Sequence, residues 1–300
     1  MLQQRLRSSD DESLIYHYCS AETLIAIVQN RTLRFSDMNM LNDAEEGRWG
    51  YSVFEDAATN LIKRTGLPDE AKALIEGLDI NFMDEVDAIW STHGLRFCSV
   101  LSCFSIDGDS LSQWRAYADD GRGFAVGFRV SELRRMPVQI LDVLYDHGEQ
   151  VREVEIALAA VYMEFVEKGK DPSQDWFRDR VATIAATAAA YKNPAWREEQ
   201  EVRCMHLLTS SQDEGVWSLK DDGGVAAGVE VEGQPVKFQA RDGSLVPFID
   251  MPFEVSPERS PIVEIVTGPR CPNADGNIRF LLGSAGYGPI DIRAAGVAYR

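Results

Sequence analysis

Two carboxylates and a guanidinium recur at alternate positions in the run Glu198-Glu199-Gln200-Glu201-Val202-Arg203. If a strand begins near Glu199, then Glu199, Glu201 and Arg203 share one face while Gln200, Val202 and Cys204 share the other. Such a set does chemistry when the cations, Arg203 and Lys192, hold one carboxylate ionised and oriented inside a cleft. The same spacing also describes a solvated face on which Glu201 and Arg203 pair, an arrangement worth little to stability.

Three further groups carry reactive or recognising side chains. In Tyr16-His17-Tyr18, strand alternation sets His17 on the face opposite the two tyrosines, where it is either a satisfied structural residue or one that looks into a groove. In Ser36-Asp37-Met38-Asn39-Met40-Leu41-Asn42-Asp43-Ala44-Glu45-Glu46, short polar residues suit the cap and acidic first turn of a following helix. They do not match the ligand spacing of a calcium loop, and no metal site is expected. Gln113, Trp114 and Tyr117 stand at helical spacing, either in the core or as one wall of a pocket for a planar ring.

The elements that must position these residues are legible in outline. Residues 13–20 read as a strand, Ser20 as the N-cap of a helix with Leu24, Ile27 and Val28 on one face, and Thr32–Ser36 as a second strand. Apolar β-rich runs at 96–105 and 123–129 flank a helix containing Trp114 and Tyr117, and 138–146 reads as another strand. Residues 149–192 predict two helices broken near Gly169-Lys170-Asp171-Pro172. Pro194 requires an extended Asn193, so the chain should enter the strand at 199–208 extended, with short strands separated by Gly, Pro and Asp turns after it. The pattern is that of one α+β domain spanning 1–300, mostly antiparallel in its second half, rather than an alternating βαβ fold. Neither glycine cluster, Asp119–Phe128 nor Gly283–Gly288, has the strand and helix setting of a dinucleotide-binding turn.

Composition excludes some classes. The formal charge of −18 opposes non-specific nucleic-acid binding. No run of eighteen uncharged apolar residues occurs and the N-terminus lacks a signal core, so a cytoplasmic protein with no membrane partner is expected. The five cysteines are scattered, without a close CxxC pair, and are expected to be reduced core thiols.

Several of these elements together resemble a family. Tyr16-His17-Tyr18, Leu41–Gly47, Cys103-Phe104-Ser105, Trp114–Ala118 with Gly121, Gly123 and Phe124, Tyr191-Lys192, Trp196, Glu199-x-Glu201-x-Arg203, Ile265–Pro269 and Ala298-Tyr299-Arg300 are similar to the bacterial DUF family numbered twenty-nine seventy-one, whose function is unknown. The family's Asn-Asp-Pro appears here as Asn42-Asp43-Ala44, and spans 52–95 and 148–190 are poorly matched, as helical insertions would be. More distantly, the order resembles the ADP-ribosyltransferase fold, in which split antiparallel sheets form a cleft for NAD. That resemblance implies that His17 contacts a ribose and that Tyr18, Trp114 or Tyr117 supplies an aromatic wall. It also implies that Glu201, or else Glu199, stabilises oxocarbenium character with Arg203 beside it. Where that fold has a second-strand tyrosine this chain offers Phe35 and Ser36, which leaves the nicotinamide contact unassigned, and Ser36, Asn42 and Lys192 complete the candidate NAD-binding set.

The leading expectation is therefore an ADP-ribosyltransferase-like enzyme with NAD as substrate and an unknown acceptor, in bacterial conflict or phage defence. The alternatives are a non-catalytic module that senses a ligand or protein through the same cleft, and a metal-dependent nuclease built on Asp43, Glu46, Glu199 and Glu201.

Overall fold

The computed structural model describes residues 5–7, 11–38, 46–66, 68–241, 243–254, 259–272 and 275–299. Asn42 and Asp43 lie outside these. Strand β1 (Leu14–Cys19) runs through Ser20, whose side chain accepts from the Thr23 N–H, into the helix Ala21–Asn30. Arg31, in the left-handed region at φ 54°, turns the chain into β2 (Thr32–Asp37). The helices Glu46–Lys63 and Ile80–Trp90 follow, then β3 (Phe97–Ser105), the helix Leu111–Tyr117, β4 (Phe124–Arg129) and β5 (Gln139–Asp142). The helices His147–Glu167 and Asp175–Thr187 lead to β6 (Glu201–Asp213) and β7 (Val216–Lys220). A small hairpin, β8 (Gly224–Ala226) with β9 (Val229–Val231), precedes β10 (Lys237–Arg241), β11 (Ser244–Pro252) and β12 (Ile262–Thr267). The helix Asp275–Ser284 and β13 (Asp291–Ala294) complete the described order.

Among the described residues eleven strands form one open sheet, antiparallel except where β12 meets β13. The expectation of an α+β, mostly antiparallel architecture holds, but all the strands outside the β8–β9 hairpin belong to a single sheet that forks rather than to split sheets. β3 is the fork. One of its edges pairs with β6 from Phe97↔Thr209 to Ser105↔Glu201. Its other edge takes β2 at Val100 and Leu101, and β1 at Ser105, so the two strands diverge from it.

Two main cores result. On one sheet face, Ile15, Val100, Phe104, Phe128 and Ile265 pack beneath the helices Ala21–Asn30 and Asp275–Ser284. The helices of 46–90 and 147–187 share a second core around Phe54, Phe82, Leu158 and Phe177, which ends at the buried Tyr191. Gln150 in that helical layer donates to the Lys192 carbonyl at 2.9 Å, so helical packing fixes where Lys192 emerges. Among the described residues no helix is long and apolar enough to cross a membrane, and no disulfide joins the five cysteines.

The join between β1 and β4 is tight at Gly123, where an added Cβ would stand 2.1 Å from the Cys19 carbonyl oxygen and 3.0 Å from Ala118. Backbone atoms cannot step aside as a side chain does. Gly123→Ala is accordingly expected to destabilise the protein by about 3 kcal/mol, measured as a lower urea midpoint with an unchanged m-value.

Candidate functional site

The strand that carries Glu201 starts two residues later than alternation from Glu199 requires. Pro194 opens a tight turn, Pro194–Glu199, capped by Asn193, whose side chain accepts the Ala195 N–H at 3.0 Å. Asn193 itself is extended, as its proline neighbour demands, at φ −58° and ψ 137°. Gln200 then adopts the left-handed region at φ 45°, which reverses the chain into β6. Glu199 thus comes from the turn and not from the strand, a correction to the shared-face reading. The turn is pinned to β3, since Ser105 Oγ donates to the Glu199 carbonyl at 2.8 Å and the Ile106 N–H donates to the Gln200 carbonyl.

Glu201 and Arg203 do share a face. Cross-strand register places them beside Ser105 and Cys103 of β3, and β5 covers the other edge of β6 with Leu141 opposite Arg203. A strand paired on both edges, with helices over this face, excludes water. Glu199 and Lys192 are 5% exposed, Glu201 7% and Arg203 1%. The solvated-face reading is therefore overturned.

The four side chains form a closed network. Arg203 grips Glu201 in a fork, Nε to Oε1 at 2.9 Å and Nη2 to Oε2 at 3.0 Å, and its Nη1 donates to the Ala189 carbonyl. Lys192 Nζ bridges Glu199 Oε2 at 2.5 Å and Glu201 Oε2 at 3.1 Å. Tyr117 donates to the remaining Glu199 oxygen at 2.8 Å, and Tyr145 accepts the Glu201 backbone N–H at 2.9 Å. Two positive and two negative charges in a dry setting satisfy one another, as buried charges must.

Burial pushes the Glu201 carboxyl upward, but the charges of Arg203 and Lys192, with hydrogen bonds from Arg203 and Cys103, outweigh it and bring its pKa down to about 2. The folded value lies below the ordinary 4.5, so the ionised form stabilises the fold above pH 4.5 and this contribution fades as pH falls toward 2. The difference corresponds to about 3 kcal/mol. Urea midpoints measured from pH 6 to pH 2 should therefore fall more steeply for the wild type than for Glu201→Gln; parallel curves would rule this out.

The network borders a cavity of about 730 Å³, within the range of small-molecule sites. His17, Tyr18, Ser36, Tyr117, Lys192, Glu199, Glu201 and Arg203 all line it, so most of the candidate residues are brought together. Tyr18 lines it with its hydroxyl already engaged, donating to the Asp107 carbonyl at 2.8 Å and accepting the Ser110 N–H at 2.9 Å. Trp114 is not part of the wall. It is fully buried, packs edge-on against Tyr18 at 4.8 Å, and donates from Nε1 to Asp109. Its place is taken by Trp196, 40% exposed, which lines the cavity with Lys192 Nζ 5.2 Å from its ring centre.

Residues of the opposite wall were not anticipated. Arg34 of β2 lies 3.9 Å over the Phe248 ring and binds Asp250 and Gln239, and Arg241 of β10 lines the same wall. The signal was present, because Thr32, Arg34 and Ser36 alternate with Leu33 and Phe35 and so must face away from the core.

The described residues contain no group of three or more His, Cys, Asp or Glu poised to hold a metal ion. Glu199 and Glu201 are each committed to cations, which would repel a further one. The nuclease arrangement therefore gains nothing from them, and its Asp43 lies outside the described residues.

No curated protein and no solved structure matches the chain. Residues 113–204, the stretch that carries Tyr117, Lys192, Glu199, Glu201 and Arg203, match the model of a family described as "Protein of unknown function (DUF2971)", and in that stretch the chain is similar to it.

Proposed function

We propose that the chain is an NAD-using enzyme of the ADP-ribosyltransferase kind, with NAD as substrate. The observation that carries this reading is that His17 and Glu201, set on opposite strand faces by alternation, nevertheless border one cavity at the fork of an antiparallel sheet. Transfer from NAD breaks the bond between ribose C1′ and the nicotinamide nitrogen, whose electron pair leaves with neutral nicotinamide. An acceptor nucleophile bonds to C1′ and loses its proton. Positive charge develops on the ribose meanwhile, and a carboxylate kept ionised stabilises it.

Each wall has a part in this reading. Glu201 supplies the charge, with Glu199 beside it; Lys192 and Arg203 keep Glu201 ionised at neutral pH. Tyr117 and Trp196 offer ring faces to a cationic pyridinium. Arg34 and Arg241 suit a pyrophosphate. Calorimetric titration with NAD and mass-spectrometric detection of released nicotinamide test the proposal. Absence of both binding and release rejects it.

A second reading, nucleotide sensing without turnover, is favoured by one feature: both oxygens of Glu201 are engaged by Arg203 and Lys192. It predicts NAD binding with no nicotinamide released.

A further inference from the structure

The fork in the sheet makes a slot of its own. β2 leaves the edge of β3 at Leu101 and β1 joins it at Ser105, a separation of roughly 13 Å at about 3.3 Å per residue. The helix Ala21–Asn30, which links the two strands, closes the back of this gap with Thr23, Ala26 and Ile27 along the cavity. Ser102 and Phe104 of β3 border it on the strand face opposite Cys103 and Arg203.

Ser102 is 2% exposed, and its Oγ has no hydrogen-bond partner among the described residues. A buried hydroxyl in that condition is destabilising and uncommon in folded proteins. His17 occupies the same strand face, its ring 5.5 Å from that of Phe104. Its Nδ1 lies 2.9 Å from the Cys103 carbonyl, which can only accept, so Nδ1 carries the proton. Burial pushes the His17 pKa down, against the opposing effect of that carbonyl, so the ring is neutral at pH 7 and Nε2 presents a lone pair. The slot thus holds one acceptor, His17 Nε2, and one hydroxyl with a proton to give.

We propose that the slot is a subsite for a planar amide-type edge, an N–H donor beside an acceptor, with the donor bound by His17 Nε2 and the acceptor by Ser102 Oγ. The assignment rests on the NAD reading above. NAD carries such an edge twice, in the carboxamide of its nicotinamide ring and in the N6 and N1 positions of its adenine.

The experiment titrates wild type and Ser102→Ala with three probes: NAD, deamido-NAD, whose carboxylate replaces the carboxamide, and nicotinamide hypoxanthine dinucleotide, whose base reverses the donor and acceptor. Ser102→Ala breaks no internal hydrogen bond, so its Tm should be unchanged or higher, while its affinity for NAD falls roughly tenfold. One analogue should bind wild type at least about tenfold more weakly than NAD, and that penalty should shrink in the variant. Loss with deamido-NAD identifies the carboxamide as the occupant; loss with the hypoxanthine dinucleotide identifies adenine. The subsite is overturned if Ser102→Ala binds NAD as wild type does, if both analogues match NAD, or if the Tm falls by more than about 3 °C. Wild type that binds none of the three rejects the NAD reading itself, and the slot assignment falls with it.

Discussion

Arg203→Ala should lower the free energy of unfolding by about 3–5 kcal/mol, the cost of leaving a buried charge without its partner. Arg203 is 1% exposed and holds both oxygens of Glu201, so its removal leaves two carboxylates facing Lys192 alone, in a setting closed by β3, β5 and the Ala189 carbonyl. The double variant Glu201→Gln/Arg203→Ala should be more stable than the sum of the two single changes predicts, by at least about 1 kcal/mol, because the second change removes the charge that the first left unpaired. Equilibrium urea unfolding of the four proteins reads this directly. A loss under about 1 kcal/mol for Arg203→Ala would mean that the pair is no stronger than one on the surface.

On activity, Glu201→Gln should reduce nicotinamide release from NAD by about 100-fold or more, the scale of losing one oriented charge-stabilising group. Binding should survive, since glutamine keeps the shape and one acceptor oxygen. The variant also gives up the stabilisation that its ionised carboxylate provides, so the assay belongs at a temperature where its unfolding curve shows it native. Glu199→Gln is the comparison. Glu199 is tied to Tyr117 and to the turn pinned by Ser105, so its loss should disturb positioning and cost about tenfold, weighted toward KM. If Glu199→Gln is instead the variant that stops release, the principal carboxylate is Glu199. If wild type and Glu201→Gln both bind NAD and neither releases nicotinamide, the sensing reading stands.

Local rules reached a good part of this fold because they concern neighbours in the chain. The cap at Ser20, the helix face of Leu24, Ile27 and Val28, the two helices broken near Gly169 and the extended Asn193 all follow from short-range sterics and hydrogen bonding, and all are present. The shared face of Glu201 and Arg203 is likewise a consequence of strand period. Trp114 and Trp196 mark where such rules end. Both are indoles beside charged neighbours in the sequence, yet one is wholly buried against Tyr18 and the other stands at a cavity mouth. That difference depends on which element packs over each ring, which no local pattern encodes.

The chain alone determined the types of the reactive residues, the elements that bear them and the alternation that joins Glu201 to Arg203. Tertiary structure decided that these charges are dry, that Lys192 bridges two carboxylates, and that His17 meets Glu201's cavity through a fork in the sheet. The reason is physical: a carboxyl held down near pKa 2 against its burial by two neighbouring cations, and an orphaned Ser102 hydroxyl, both depend on groups brought together by segments as distant as β5, β6 and the helices of 147–187.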